Sequence, residues 1–379
     1  MAQDVPALRK ERDKLIERGM WRDAMNAYQQ KLMPVSDKES GTDLDRALTA
    51  LRNLNAWGEF DGLVENAVAA HPENARLLTC AAEAYRQVPH VGRLIAGDFQ
   101  RGGQPHFGGR RFQGSRPGGI GPRGMDGGPV AEPAATAGAS VDTTYRDSIR
   151  SLQLLRQAVA KATDDFERVG IWEKLGGVFR EKEAWKLQTL TPIATLPEWG
   201  EPGPAGGTEG APWAKDGPVL YHIPASWEAA KNDGERWRFA LAEIVRLMPD
   251  QAVAITLQLA RFSQSQFGTE TLSSFGWWRE QDPDSAKGIL EMDTLTEDEC
   301  LAKTSDGVRR FKLPADHHFI ALYRSILNQN GQAGDALTQV FLNRRQYDKA
   351  REVLEKTIAK HGTGQNDSRQ KLLQQITGN

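Results

Sequence analysis

Apolar side chains recur along this chain at the spacing of a single helix face. Trp21, Ala24, Tyr28 and Leu32 follow Gly19, and near the other end Tyr347, Ala350, Leu354 and Ile358 follow Asn343-Arg344-Arg345-Gln346 with the same offsets. Phe60, Leu63 and Ala67 repeat the first three of those positions. Residues spaced in this way line one side of a 3.6-residue helix. Each set follows another apolar-periodic stretch and a short polar turn. The unit therefore reads as two antiparallel helices whose small residue allows close approach, a tetratricopeptide-like hairpin. The pattern is clear over 12–34 and 337–361 and weaker over 47–88, where Pro72 ends one helix and Leu77, Ala81 and Tyr85 open another. A regular array would keep a period of about 34 residues. The irregular spacing predicts an all-α fold, a degenerate tetratricopeptide-like helical-hairpin solenoid with long irregular insertions.

Further helices are marked by Leu152, Leu155 and Val159, by Ile171, Leu175 and Val178, by Val253, Leu257 and Ala260, and by Ile320, Tyr323 and Leu327. Thr296 with Glu299 forms a capping-box pattern that predicts a short helix through Lys303. Between the helices lie stretches of a different composition. Residues 97–128 hold about a third of the chain's 37 glycines with few aliphatic residues, too little apolar surface to offset the entropy of ordering. Residues 191–218 carry six prolines among glycines and exclude a helix, with Val219–Ile223 as a possible short strand. These shifts divide the chain into helical hairpins over 1–90, a Gly/Arg/Pro-rich disordered insertion over 91–143, and a helical hairpin over 144–190. A Pro/Gly/Trp-rich loop over 191–232 and a hairpin over 233–267 come next. An irregular insertion with a short helix over 268–315 and tetratricopeptide-like hairpins over 316–379 complete the partition.

Charge changes this picture little. Forty-eight Lys and Arg against fifty Asp and Glu leave a formal net charge of -2, which gives no global pull toward nucleic acid or anionic lipid. Cys80 and Cys300 lack metal-ligand spacing and read as small buried hydrophobes or as one optional bridge. No stretch approaches the roughly 18 to 20 apolar residues that a membrane-spanning helix needs. The start Met1-Ala2-Gln3-Asp4 runs straight into a polar helix, as a mature chain does after signal cleavage behind an added initiator Met.

The runs Gly97-Asp98-Phe99-Gln100-Arg101-Gly102, Glu183-Ala184-Trp185-Lys186-Leu187-Gln188, Tyr221-His222-Ile223-Pro224, Asp233-Gly234-Glu235-Arg236-Trp237-Arg238, Ser265-Gln266-Phe267-Gly268 and Arg310-Phe311-Lys312-Leu313-Pro314 resemble, in order, the N-terminal helical-repeat region of large alpha-2-macroglobulin-like proteins of planctomycete-type bacteria. The resemblance spans nearly the whole chain. It implies a periplasmic, secreted or cell-envelope parent whose later domains trap proteases, an endopeptidase inhibitor, with this segment leading them. The thioester string Cys-Gly-Glu-Gln of that family is missing, since Cys80 sits in Thr79-Cys80-Ala81-Ala82 and Cys300 in Glu299-Cys300-Leu301-Ala302. The loop from Gln100 to Ser140 is also longer and richer in Arg and Gly than the family pattern.

Several motifs tempt a chemical reading. Arg93, Arg101, Arg110, Arg111, Arg116 and Arg123, interleaved with Phe99, Phe107 and Phe112, could contact phosphates and stack on bases, but Arg-Gly-Gly occurs once and a solvated insertion explains the same residues. Gly119-Ile120-Gly121-Pro122-Arg123-Gly124 matches the dinucleotide fingerprint, yet without the strand and helix that the fingerprint needs. His317-His318 are adjacent and cannot chelate one metal from one helix face; a surface or helix-capping role is expected. His222 is expected to pack against the Trp-rich loop. Ten tryptophans are present, and Trp199, Trp213, Trp227, Trp237, Trp277 and Trp278 fall in or beside the middle insertions, where large aromatics pin loops onto helices. Trp277-Trp278-Arg279 is the candidate partner contact, because two adjacent residues seldom both face inward and exposed Trp beside Arg has hot-spot composition. No catalytic, cofactor-binding or metal-ligating residue is nominated. The expectation is a non-catalytic protein-interaction or spacer module, with other domains of the parent chain, envelope proteins or proteases as partners and no nucleic acid. The rivals are a nucleic-acid binder using the Arg/Gly loop and an enzyme with a site in the middle insertions.

Overall fold

The computed structural model describes residues 4–102, 138–180, 184–204, 209–274 and 291–378. The described chain is mostly helical, with fourteen α-helices and seven short strands. It divides into two compact units: Met1–Ala162 with Pro192–Gly203, and Thr163–Thr191 with Pro204–Asn379.

The first unit begins with α1 (Val5–Glu17), whose Asp4 carboxylate caps the Ala7 N–H at 3.2 Å. Then come α2 (Trp21–Ala27), which runs on into a widened turn over Tyr28–Leu32, and α3 (Ser40–Asn53), α4 (Phe60–Ala70) and α5 (Ala75–Gln87). Asn74 caps α5 through Leu77 N–H, as its side-chain carbonyl can do one residue before a helix. α6 (Thr144–Lys161) packs along α5. The stripe Leu44, Ala47, Leu48 and Leu51 of α3 and the stripe Leu77, Leu78, Ala81, Ala82 and Tyr85 of α5 are buried, the amphipathic arrangement that drives helices together.

The second unit contains α7 (Asp165–Arg180), α8 (Asp233–Leu247), α9 (Ala252–Phe267), α10 (Glu270–Ser274), α11 (Phe319–Ile326), α12 (Gly331–Asn343), α13 (Tyr347–His361) and α14 (Ser368–Thr377). α7 packs on α8, α9 on α11, and α12 on α13. Gly334 seats α12 against α13, where a Cβ would meet the Thr357 side chain at 2.1 Å. The core joins Leu257, Ala260, Phe319, Tyr323, Leu337, Phe341, Ala350 and Val353.

Helix pairing departs from the expected partition. The sequence joins neighbours across short turns, as in a 144–190 hairpin, yet α6 packs on α5 and α7 on α8. Each long insertion thus lies inside a helix pair, between α5 and α6, between α7 and α8, or between α9 and α11. Each also carries an antiparallel strand pair.

The first insertion is ordered at both ends, against the expectation of disorder over 91–143. β1 (Val91–Ile95) pairs with β2 (Asp98–Arg101) and with β3 (Ala139–Asp142), placing Gly92 opposite Arg101 and Val141. The turn between β1 and β2 holds Ala96 and Gly97 at φ of 51° and 92°, the doubly left-handed conformation that suits two-residue hairpins. The expected strand over Val219–Ile223 is displaced upstream to β4 (Trp213–Ala214) and β5 (Gly217–Pro218). The expected helix through Lys303 is a strand: β6 (Glu299–Thr304) pairs with β7 (Gly307–Lys312). Thr296 N–H and hydroxyl do bond the Glu299 carboxylate at 2.8 and 2.9 Å. That closes only a turn, because Asp306-Gly307 then reverses the chain with Gly307 at φ 105° and the Arg310 guanidinium draws Glu299 across the ladder.

Candidate protein-binding groove

Buried polar anchors hold the insertions in place. Arg101, at the end of β2, is buried and donates to Asp61 on α4 at 2.8 and 3.0 Å and to Asp147 on α6 at 2.7 and 3.1 Å. It also bonds the Pro89 carbonyl and Thr143 hydroxyl. Burial opposes the guanidinium charge, but the bonds to Asp61 and Asp147 outweigh it and raise the Arg101 pKa above the arginine range. Burial likewise disfavours the Asp147 carboxylate, yet its bonds to His90 and Arg101 bring its pKa below the ordinary value. Asp233, the first residue of α8, accepts from Thr191 N–H at 3.0 Å and from Arg236 at 3.2 Å. Arg344, which ends α12, donates to the Thr296 and Glu299 carbonyls at 3.1 and 2.8 Å.

With the first insertion fastened, a groove of about 440 Å³ opens between α3 and α5. Gly41 makes this geometry possible, since a Cβ there would meet the Arg76 carbonyl at 2.8 Å. Gly41 and Arg76 each stand one residue into their helices, so α3 and α5 begin at the same level. Leu48, Phe60 and Val88 form a buried apolar floor with the half-buried Trp57 beside them. Gly102 lies against that tryptophan, its notional Cβ 2.7 Å from the ring. The walls are polar: Thr42, Asp45 and Arg52 from α3 face Arg76, Cys80, Glu83 and Gln87 from α5. Lys38, Arg52 and Arg76 are matched by Glu39, Asp45 and Glu83, so the groove selects neither sign of charge.

The chain matches no protein-family model. No curated protein matches it either.

The residues singled out by periodicity form the helix packing of both units. Ala24, Tyr28, Leu32, Phe60, Leu63, Ala67, Ala350 and Leu354 are buried, and Trp21 and Ile358 are half-buried. Tyr347 departs from the pattern at 57% exposure; it opens α13 after the three residues that follow the end of α12 at Asn343. Trp277, Trp278 and Arg279 lie outside the described residues, as do Arg110, Arg111, Arg116, Arg123, Phe107, Phe112 and the 119–124 glycine motif. Of the Arg/Gly-loop residues within the structure, Arg101 is buried in its carboxylate pair. Phe99 stacks on Trp199 with ring centroids 4.4 Å apart.

Four of the tryptophans in or beside the middle insertions are described: Trp199, Trp213 and Trp227 hold insertion segments in place, whereas Trp237 sits on α8 and packs on α9. Trp199 lies under the Arg146 guanidinium at 4.0 Å, Trp213 meets Phe311 edge-on at 5.0 Å, Trp227 is buried against Trp172 and Phe179, and Trp237 packs on Phe262 at 4.2 Å. His318 caps α11 by accepting the Ile320 N–H at 3.1 Å, but it is buried and not at the surface. His222 is exposed and meets the His317 ring at 5.2 Å in place of a tryptophan.

No nucleophile emerges from the Cys300 and His318 contact at 3.5 Å. Burial pushes the Cys300 thiol up to about 12, and burial with the nearby Arg344 charge lowers His318 to about 4. Both groups are neutral, the opposite of an activated thiolate and imidazolium. Cys80 and Cys300 form no disulfide. Among the described residues no cluster of three His, Cys, Asp or Glu side chains is placed to hold a metal ion, and no helix is long and apolar enough to cross a membrane.

Gly41, Thr42 and Asp45 of the α3 wall precede residue 47, where the weak repeat pattern starts in the sequence. Leu44, Ala47, Leu48 and Leu51 carry the missed signal at spacings of three and four.

Proposed function

We propose that this chain is a non-catalytic, tetratricopeptide-like protein-interaction module, and that an extended segment of a partner protein docks between α3 and α5. The groove carries the reading. It has an apolar floor large enough to bury side chains and walls of both signs that can pair with peptide polar groups. Helix pairing supports a repeat architecture: α3 and α5 start level beside one another, and a three-residue turn joins α12 to α13.

The parent assignment, a periplasmic, secreted or envelope alpha-2-macroglobulin-like endopeptidase inhibitor, rests on the resemblance of the six runs. Two of those runs hold residues that fasten insertions to helices, Arg101 in the first and Asp233 with Arg236 in the fourth, and Arg310 in the last ties β7 to β6 within its own insertion. Irregular strings at such anchors are held by geometry and not by helix composition. The nucleic-acid reading is weakened by the commitment of Arg101 to Asp61 and Asp147.

Selection of a displayed library of extended peptides on the whole chain tests the groove. Enriched peptides are expected to lose about tenfold in affinity, ~1.4 kcal/mol, on Thr42→Trp, which fills the groove from an exposed position and leaves the melting temperature unchanged. Equal affinity for both chains, or no enrichment, overturns the groove. The coding sequence beyond Asn379 tests the parent: macroglobulin β-domains there support it, and a stop codon overturns it.

A further inference from the structure

A second cavity lies in the second unit, between α8 and α9, covered by Val219, Leu220 and Tyr221 and closed at one side by His317. Its volume is about 20 Å³, room for one water-sized guest, which needs roughly 10 to 15 Å³. Leu259, Phe262, Phe267 and Leu322 make most of the wall apolar, and in such surroundings an unmatched polar group is costly.

Three of the polar side chains lining it are donors without acceptors. Trp237 is 0% exposed and Gln266 3% exposed, and neither the indole Nε1 nor the amide Nε2 has a hydrogen-bond partner. Arg238 is half-buried and makes no hydrogen bond or ion pair among the described residues. Burial lowers its pKa, with only the charge of Asp316 acting the other way. The other lining groups have contacts of their own, and His317 Nδ1 lies 3.0 Å from the Asp316 carboxylate. The Ser263 hydroxyl donates to the His317 carbonyl, and His317 Nε2 sits 3.2 Å from the Tyr221 carbonyl. Contact with Phe262 fixes the Trp237 ring.

We propose that this cavity binds a single small anion, held by Trp237, Gln266 and Arg238, with chloride as the occupant its size suits. A water there would accept from at most two donors, one fewer than the three on offer. A halide accepts from all three and adds to the charge of Asp316 in balancing the Arg238 guanidinium, in apolar surroundings where the interaction is strongest. The proposal does not depend on the α3–α5 groove.

Thermal unfolding of the whole chain in sodium chloride, against sodium gluconate at the same ionic strength, provides the test. Gluconate is too large to enter. The second unit is expected to melt about 2–4 °C higher in chloride, and Trp237→Phe and Arg238→Met are expected to abolish the difference while remaining folded in gluconate. Bromide-soaked crystals should show anomalous density within hydrogen-bonding distance of Trp237 Nε1, and none in Arg238→Met. Equal melting in both salts, or density in Arg238→Met matching that of the wild type, overturns the proposal. Formate in place of chloride tests the size limit, since its three heavy atoms exceed a cavity of about 20 Å³: protection by chloride alone supports the site, and equal protection by formate overturns it.

Discussion

Arg101 in the first unit and Arg344 in the second are both buried, and both fasten an insertion to the helices. Their electrostatic settings are opposite. Arg101 faces two carboxylates, Asp61 and Asp147, and its pKa rises; Arg344 donates to the Thr296 and Glu299 carbonyls with no carboxylate in direct contact among the described residues, and burial lowers its pKa. Arg344 draws further support from the Phe319 ring at 5.5 Å and from its place at the C-terminal end of α12. An insertion can therefore be docked through a neutralised ion cluster or through backbone dipoles. The two differ in what is left behind when the arginine is removed.

Arg101→Met should have the largest effect, because it leaves the Asp147 carboxylate buried with a diminished set of partners. A loss of roughly 3–5 kcal/mol is expected in denaturant unfolding of the first unit. Replacing Asp147 by Leu in the same chain should restore part of it. A loss below about 1 kcal/mol for Arg101→Met would erase the distinction between the two anchors.

Acid should separate the units next. His318 has a folded pKa near 4 against an ordinary value of 6.5, so the unfolded chain takes up its proton first. Stability of the second unit is fully present above about pH 6.5 and declines as pH falls toward 4, by roughly 3 kcal/mol at most. The Asp147 pKa is depressed below 3.8, so its contribution is present above that value and is lost only at lower pH. Hydrogen exchange read separately in β1–β3 and β6–β7 between pH 7 and 3 should show the β6–β7 region loosening first. Simultaneous loosening would contradict the assignment.

Arg344→Met should cost less, about 1–3 kcal/mol, since it strands carbonyl acceptors and no carboxylate. Loosening confined to β6 and the turn before it, measured by exchange, would support the anchor. Tyr347→Ala should change stability by no more than about 0.5 kcal/mol, whereas Ala350→Trp, at the same face one turn later, should disrupt the α12–α13 seam.

That last pair shows how far periodicity reaches. Offsets of three and four located the packing faces of α2, α4, α5 and α13, because a helix buries whatever its neighbour covers. They failed at Tyr347, the exposed first residue of α13. The strands were hidden for other reasons. β2 stands at the head of a glycine-rich stretch whose average composition masked Asp98–Arg101, and its Ala96-Gly97 turn lacks the Asn-Gly signature of such hairpins. Around β6, the Thr296 and Glu299 pattern gave the correct local bonds and the wrong continuation, while Asp306-Gly307 marked the reversal. Pairing of α5 with α6 across a long insertion was not legible at all, since short connections normally join neighbours. The groove follows from the pairing of α3 with α5 and from Gly41.

The backbone passes from the first unit to the second after Ala162, returns at Pro192, and leaves again after Gly203. A single protease nick near residue 163 would therefore not release the first unit. Its twelve-residue tether would stay clasped, with Trp199 on Phe99, the Arg146 guanidinium on the Pro197 carbonyl and Gln153 on the Ile193 carbonyl. A gene fragment ending at Ala162 would express the same unit with its clasp missing, an aromatic seat empty and two donors bare.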